Sequence, residues 1–133
     1  MKKKEKVIID TGIYINYFLK KDERYRKILQ EIFTGEKEGI SLFLNLTELY
    51  YVLGRLIGKE SSMTAISLIR KSPIKFVNID EDLSIRAGEI KLTYDFLSIV
   101  DAYLIALAER EKAKIITTDS AIPKAFKNAE VMS

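Results

Sequence analysis

Short apolar runs rich in β-branched residues recur along the chain, and each is followed by a stretch with apolar residues at helical spacing. This alternation constrains the fold more than any other feature. "VIID" at 7–10 precedes "TGIYINYFL", and "RYRKILQEIF" then sets Tyr25, Ile28, Leu29, Ile32 and Phe33 along one face of a second helix. Gly35 and Gly39 are expected to punctuate the following loop. "ISLFL" at 40–44 predicts the next strand, with Asn45 capping a helix that runs to about Ile57. "SSMTAISLIRK" predicts another helix, stopped before Pro73, and "IKFVNI" a third strand. Asp80 is expected to cap the helix of "DLSIRAGEIKL", where Leu83, Ala87 and Ile90 share a face. "SIVDAYLIALAEREK" predicts an apolar helix, "AKIITT" a fourth strand ending at Asp119, and "AEVM" a short fifth. Strands apolar on both faces and separated by helices call for a parallel sheet covered on both sides. The expected fold class is therefore α/β, a three-layer α/β/α sandwich around a four- or five-stranded parallel sheet. With 133 residues, 47% of them hydrophobic, and no repeat or linker, residues 1–133 are expected to form one domain.

Composition removes several chemistries. The chain has no cysteine and no histidine, which excludes disulfides, cysteine- or histidine-ligated zinc, cysteine nucleophiles and serine–histidine triads. A hydrolase built from this chain must rely on carboxylates. No stretch approaches the roughly 20 apolar residues that cross a bilayer, and "MKKKEK" leads into a strand rather than a signal peptide, so a cytoplasmic protein is expected.

Most of the 19 acids lie beside lysine or arginine, as in "EREK" and "GEKEG", and suit solvated helix faces. Four do not. Asp10 and Asp119 end predicted strands, while Glu48 interrupts "NLTELYYVL" and Asp101 interrupts "SIVDAYLIALA". Each has an ordinary structural explanation: Asn45 to Glu48 and Ser98 to Asp101 have capping-box spacing, and Asp10 and Asp119 suit turns. Their joint placement points elsewhere. Ligands of open α/β sheets bind outside the carboxyl ends of the strands, which is also where helices following the strands begin. Asp101 reaches that edge if its helix starts there. Carboxylates gathered so closely raise one another's pKa, a conflict that a divalent cation relieves. Oxygen-only donors favour Mg²⁺ or Mn²⁺, which leaves positions for water and phosphate oxygens and activates water without a histidine.

Net charge is +3; setting the four acids aside leaves 15 against 22 lysines and arginines, a surplus of seven. "LKKDERYRK" and "MKKKEK" are expected to attract a polyanion.

Together, "VIIDTGIYI", "NLTELYYVL", "LSIVDAYLIALA" and "IITTDSAI" resemble the PIN domain, and in size and motifs the chain is most similar to the VapC-type toxin ribonucleases. The resemblance covers nearly the whole chain. It implies a Mg²⁺- or Mn²⁺-dependent endoribonuclease whose catalytic and metal-binding acids are Asp10, Glu48, Asp101 and Asp119. It also implies hydroxyls that position water or substrate at Thr11 and Thr117, an RNA substrate, a homodimer and an antitoxin partner that covers the pocket. Asp95 is a further acid nearby. Two other readings remain open: a silent RNA- or protein-binding module that keeps the acids as caps, and an aspartyl-phosphate phosphotransfer domain with Asp10 as nucleophile and Asp80 in support. The latter lacks an acid two residues after Asp10 or paired with it.

Overall fold

A computed structural model describes residues 3–132. Five parallel strands, β1 (Lys6–Ile9), β2 (Glu38–Leu42), β3 (Lys75–Val77), β4 (Lys114–Thr117) and β5 (Ala129–Val131), are ordered β3-β2-β1-β4-β5. Six helices connect them: α1 (Thr11–Leu19), α2 (Glu23–Phe33), α3 (Phe43–Ile57), α4 (Lys59–Lys71), α5 (Glu81–Thr93) and α6 (Ile99–Glu111), with a 3-10 turn at Ile122–Lys124. The α/β class and the five-stranded parallel sheet are as the alternation predicts.

Strand periodicity divides the core into two layers. Val7 and Ile9 of β1 and Ile116 of β4 point toward α1 to α4, where they meet Ile13, Tyr14, Leu29, Leu49, Leu53 and Ile69. Ile8, Ile40, Leu42 and Ile115 point the other way, toward Leu83, Ala87, Ile90, Leu104 and Leu107 of α5 and α6. Side chains alternate across a strand, so a covered sheet needs apolar residues at consecutive positions. This explains why "VII" and "KII" show no polar alternation.

Two boundaries differ from expectation. Gly39 lies inside β2, paired opposite Val7, rather than in a loop. A Cβ there would come within 2.8 Å of the Ile32 side chain, so the missing side chain lets α2 lie close on the sheet. Phe43 and Leu44 belong to α3, not to β2, and the N-cap is Leu42 rather than Asn45.

The strand order reverses at β1: the chain moves from β1 to β2 and β3 on one side, then crosses to β4 and β5 on the other. The carboxyl ends of β1 and β4 therefore flank a topological switch point, the usual place for a ligand crevice in such sheets. Among the described residues, no helix is long and apolar enough to cross a membrane.

Candidate functional site

Asp10 is the residue at which β1 becomes α1. It is the N-cap, in extended conformation, and its carboxylate Oδ1 accepts the Thr11 N–H at 2.7 Å. Its Oδ2 accepts the Thr117 hydroxyl at 2.6 Å, a bond from the end of β4 to the end of β1. The Thr117 oxygen in turn accepts the Asp119 N–H at 2.9 Å. Since a hydroxyl carries one proton, that of Thr117 is committed to Asp10. Asp119 Oδ1 accepts the Ala121 N–H at 2.8 Å, which holds the turn after β4.

A second relay of the same polarity reaches Glu48. Asn45 Nδ2 donates to the Thr11 hydroxyl oxygen at 3.0 Å, and that hydroxyl donates to Glu48 Oε1 at 2.8 Å. Thr11 thus touches both sides of the pocket, its amide on Asp10 and its hydroxyl on Glu48.

Asp101 arrives from the opposite layer. Residue Lys112 closes α6 directly before β4 begins, so α6 starts at the carboxyl edge and its first turn faces Asp10. Ser98 is the N-cap, its hydroxyl oxygen accepting the Asp101 N–H at 3.0 Å. Asp101 is 5% exposed, and its pKa is pushed up to about 7, first by burial and then by the adjoining Asp119 and Asp10. Burial likewise raises the Asp10 pKa, opposed by the Thr117 and Thr11 hydrogen bonds and reinforced by Glu48 and Asp119.

The four acids selected from the sequence are accordingly gathered at one edge of the sheet, within electrostatic reach of one another. The donor chemistry, oxygen ligands with uncompensated negative charge, fits a hard divalent ion. Among the described residues, however, no three acid side chains stand close enough as they lie to hold one. Asp10 and Glu48 are closed onto threonine hydroxyls.

Several sequence expectations change. Asn45 is the third residue of α3; its Oδ1 accepts the Leu42 N–H at 2.8 Å, so it closes the helix from within. Glu48 then falls in the second turn, beyond the free N–H groups, and the capping-box explanation for it fails. For Asp101 only the half of the box donated by its backbone is drawn. Asp80 caps α5 through the Leu83 N–H and pairs with Arg110 at 2.6 Å, so it does not support a phosphorylated Asp10. The Asp95 side chain is fully exposed and faces Lys91 at 3.7 Å.

Most lysines of the two basic runs lie toward the amino edge, whereas Arg24 and Lys27 of the second run line a pocket with Ile116, Val131 and Met132 near the ends of β4 and β5. Lys3, Lys4 and Lys6 enter β1 at its amino edge and share a pocket there with Lys112 and Lys114; Met1 and Lys2 are outside the described residues. Lys20 and Lys21 follow the far end of α1.

Three contributors were not singled out from the sequence as site-builders. Ser41, fully buried, donates to the Ile9 carbonyl at 2.8 Å, one residue past the last β1–β2 pair, and receives the Tyr14 hydroxyl at 2.7 Å. It satisfies the carbonyl that directly precedes Asp10. Burial pushes the Tyr14 phenol well above its usual pKa, so it stays a donor. Gly12 faces Thr118: a Cβ would meet its Oγ1 at 2.2 Å and its Cβ at 3.3 Å. The signals were a lone hydroxyl within "ISLFL" and the glycine of "DTG". Asn45 is the third, visible in the sequence only as a cap.

A family model described as the PIN domain matches residues 7–127. No curated protein matches the chain. Among solved structures, VapBC2 from Rickettsia felis, bound to a DNA fragment from its promoter, is similar with a TM-score of 0.79 at 16% identity, covering 96% of this chain and 99% of that one. VapC20 from Mycobacterium tuberculosis, a sarcin-ricin loop cleaving toxin, is similar with a TM-score of 0.73 at 17% identity over 90% of this chain and 95% of that one. A toxin–antitoxin complex from Klebsiella pneumoniae gives 0.72 at 17% over 94% and 96%. At these identities the likeness shows the fold.

Proposed function

The chain belongs to the PIN domain family, and on that premise we propose that it is a divalent-metal-dependent endoribonuclease, the toxin of a toxin–antitoxin pair, with residues 1–133 as one nuclease unit. The observation that carries this reading is the gathering of Asp10, Glu48, Asp101 and Asp119 at the carboxyl ends of β1 and β4, with burial and mutual repulsion raising the pKa of Asp101. Asp10, Asp101 and Asp119 would hold Mg²⁺ or Mn²⁺, with Glu48 as a further ligand or as the group that orients water. When bound, the ion would favour deprotonation of water and offset charge developing on the phosphate. The protein's own part is to aim its acids: Thr117 and the Thr11 amide hold both oxygens of Asp10, and the Thr11 hydroxyl turns Glu48 toward them. Metal-assisted attack needs no 2′-hydroxyl, so preference for RNA rests on the family.

An antitoxin partner and a homodimer are proposed likewise. Large apolar side chains left in water support them, Tyr51, Leu56 and Leu68 on α3 and α4 and Ile85, Leu92 and Ile99 on α5 and α6. A cytoplasmic location accords with an intracellular RNA target. A second reading, a module that binds without cutting, draws on the fact that no three acids among the described residues meet at ligating distance.

One experiment separates them. Purified protein is incubated with a structured RNA and a matched DNA, in Mn²⁺ or Mg²⁺ and in EDTA, beside Asp10→Asn and Asp101→Asn. Metal-dependent RNA cleavage lost in both variants is expected. Absence of cleavage together with absence of Mn²⁺ binding by calorimetry would select the silent module.

A further inference from the structure

We propose that Asn45 is a positioning residue of the acid pocket, its carboxamide fixing the direction of the Thr11 hydroxyl and so the placement of Glu48. The catalytic consequence rests on the nuclease reading; the hydrogen-bond relay does not.

The orientation of the Asn45 amide is chemically determined. Leu42 N–H can only donate, so the atom facing it at 2.8 Å is the carboxamide oxygen. The amide plane then leaves Nδ2 directed at Thr11 Oγ1, 3.0 Å away and 34 residues back in the chain. With its oxygen accepting from Asn45, the Thr11 hydroxyl has its single proton free for Glu48 Oε1 at 2.8 Å. Asn45 is 1% exposed, so no water competes for either arm.

Capping alone does not account for an asparagine here. The Leu42 N–H needs an acceptor, and at the positive end of a helix dipole a carboxylate would serve at least as well. Only a carboxamide supplies an acceptor on one arm and a donor on the other. The donor arm faces away from α3 and toward the start of α1. Without it, the Thr11 proton could turn to other acceptors, and Glu48 would lose the hydrogen bond that ties it to Thr11.

Asn45→Asp separates the two roles. It keeps the acceptor for Leu42 and nearly the same shape, but replaces the donor by a second acceptor. The Thr11 proton can then serve the new carboxylate or Glu48, not both. The primary measurement is the ¹³C resonance of the Glu48 side-chain carboxyl in metal-free protein with EDTA, in wild type, Asn45→Asp, Thr11→Val and the double variant. Thermal unfolding runs alongside, and Asn45→Ala stands in should Asn45→Asp fold poorly. Asn45→Asp is expected to move the Glu48 resonance in the same direction as Thr11→Val, with little further change in the double variant. Mn²⁺ affinity and RNA cleavage should fall roughly 10- to 100-fold, as for other residues that orient metal ligands. A Glu48 resonance that Thr11→Val moves and neither Asn45 variant moves would overturn the proposal and leave Asn45 a cap. If wild type neither binds Mn²⁺ nor cuts RNA, the nuclease reading fails on its own, while the resonance still decides the relay.

Discussion

Replacing Asp101 by asparagine should stabilise the metal-free protein, and the gain should depend on pH in a defined direction. Asp101 is 5% exposed and its pKa is raised from 3.8 to about 7. The folded protein therefore holds this proton more tightly than the unfolded chain does. Where the folded state binds more protons, stability falls as pH rises, so the loss begins near pH 4 and is complete above about 7. At about 1.36 kcal/mol per pH unit, a displacement of this size corresponds to at most about 4 kcal/mol; shared with Asp119, it leaves on the order of 2 to 4. Asparagine keeps the shape and carries no charge. Urea unfolding in EDTA should show wild type and Asp101→Asn nearly equal at pH 4 and separated by that amount at pH 8, the variant being more stable. Adding Mn²⁺ should reverse the order, because a ligand bound only by the folded wild type raises its stability by mass action. A variant less stable than wild type at pH 8 in EDTA, or a difference independent of pH, would refute the argument and make Asp101 a structural residue.

Other perturbations test the scaffold around the pocket. Gly12→Ala forces a methyl group against Thr118, whose own Cβ is also too near for rotation alone to relieve, and should cost about 1 to 3 kcal/mol in denaturant midpoint while lowering cleavage more than an equally destabilising core variant. Unchanged stability would mean that the turn after β4 is free to withdraw. Ser98→Ala removes the acceptor for the Asp101 N–H and should lower stability by about 1 kcal/mol; no change would place the functional start of α6 elsewhere. Ser41→Ala strands the Tyr14 hydroxyl and the Ile9 carbonyl, for about 2 to 4 kcal/mol. Adding Tyr14→Phe should recover part of that loss, and a strictly additive double-mutant cycle would contradict the relay.

The parts of the site legible in the sequence were those that depend only on where a strand ends. A β-branched run followed by an acid locates Asp10 and Asp119 without any knowledge of partners, and an acid inside an apolar stretch marks Glu48 and Asp101 as anomalies. What placed Asp101 at the same edge was the immediate return from α6 through Lys112 into β4, a distance constraint that strand and helix periods do not contain. Glu48 stood out from its apolar surroundings while its helix was started too late. Phe43 and Leu44 extend the apolar run of β2, and nothing local distinguishes a strand residue from the first turn of a helix that still buries its side chains. The distinction comes from Asn45, which reaches back to the Leu42 N–H and so takes the place of a side-chain cap that leucine cannot provide. The remaining determinants act between residues far apart in the chain: Tyr14 on Ser41, Thr117 on Asp10, Thr118 against Gly12. A glycine required by a neighbour more than a hundred residues away looks like any turn glycine, and a buried serine between strands looks like a tolerated polar residue. Both become intelligible only when the order of the strands brings β4 and β2 to either side of β1. The same order explains why the acids converge at all. Reversal of the sheet at β1 leaves its carboxyl end uncovered by a crossover, and the first turns of α1 and α6 close on that gap from opposite layers.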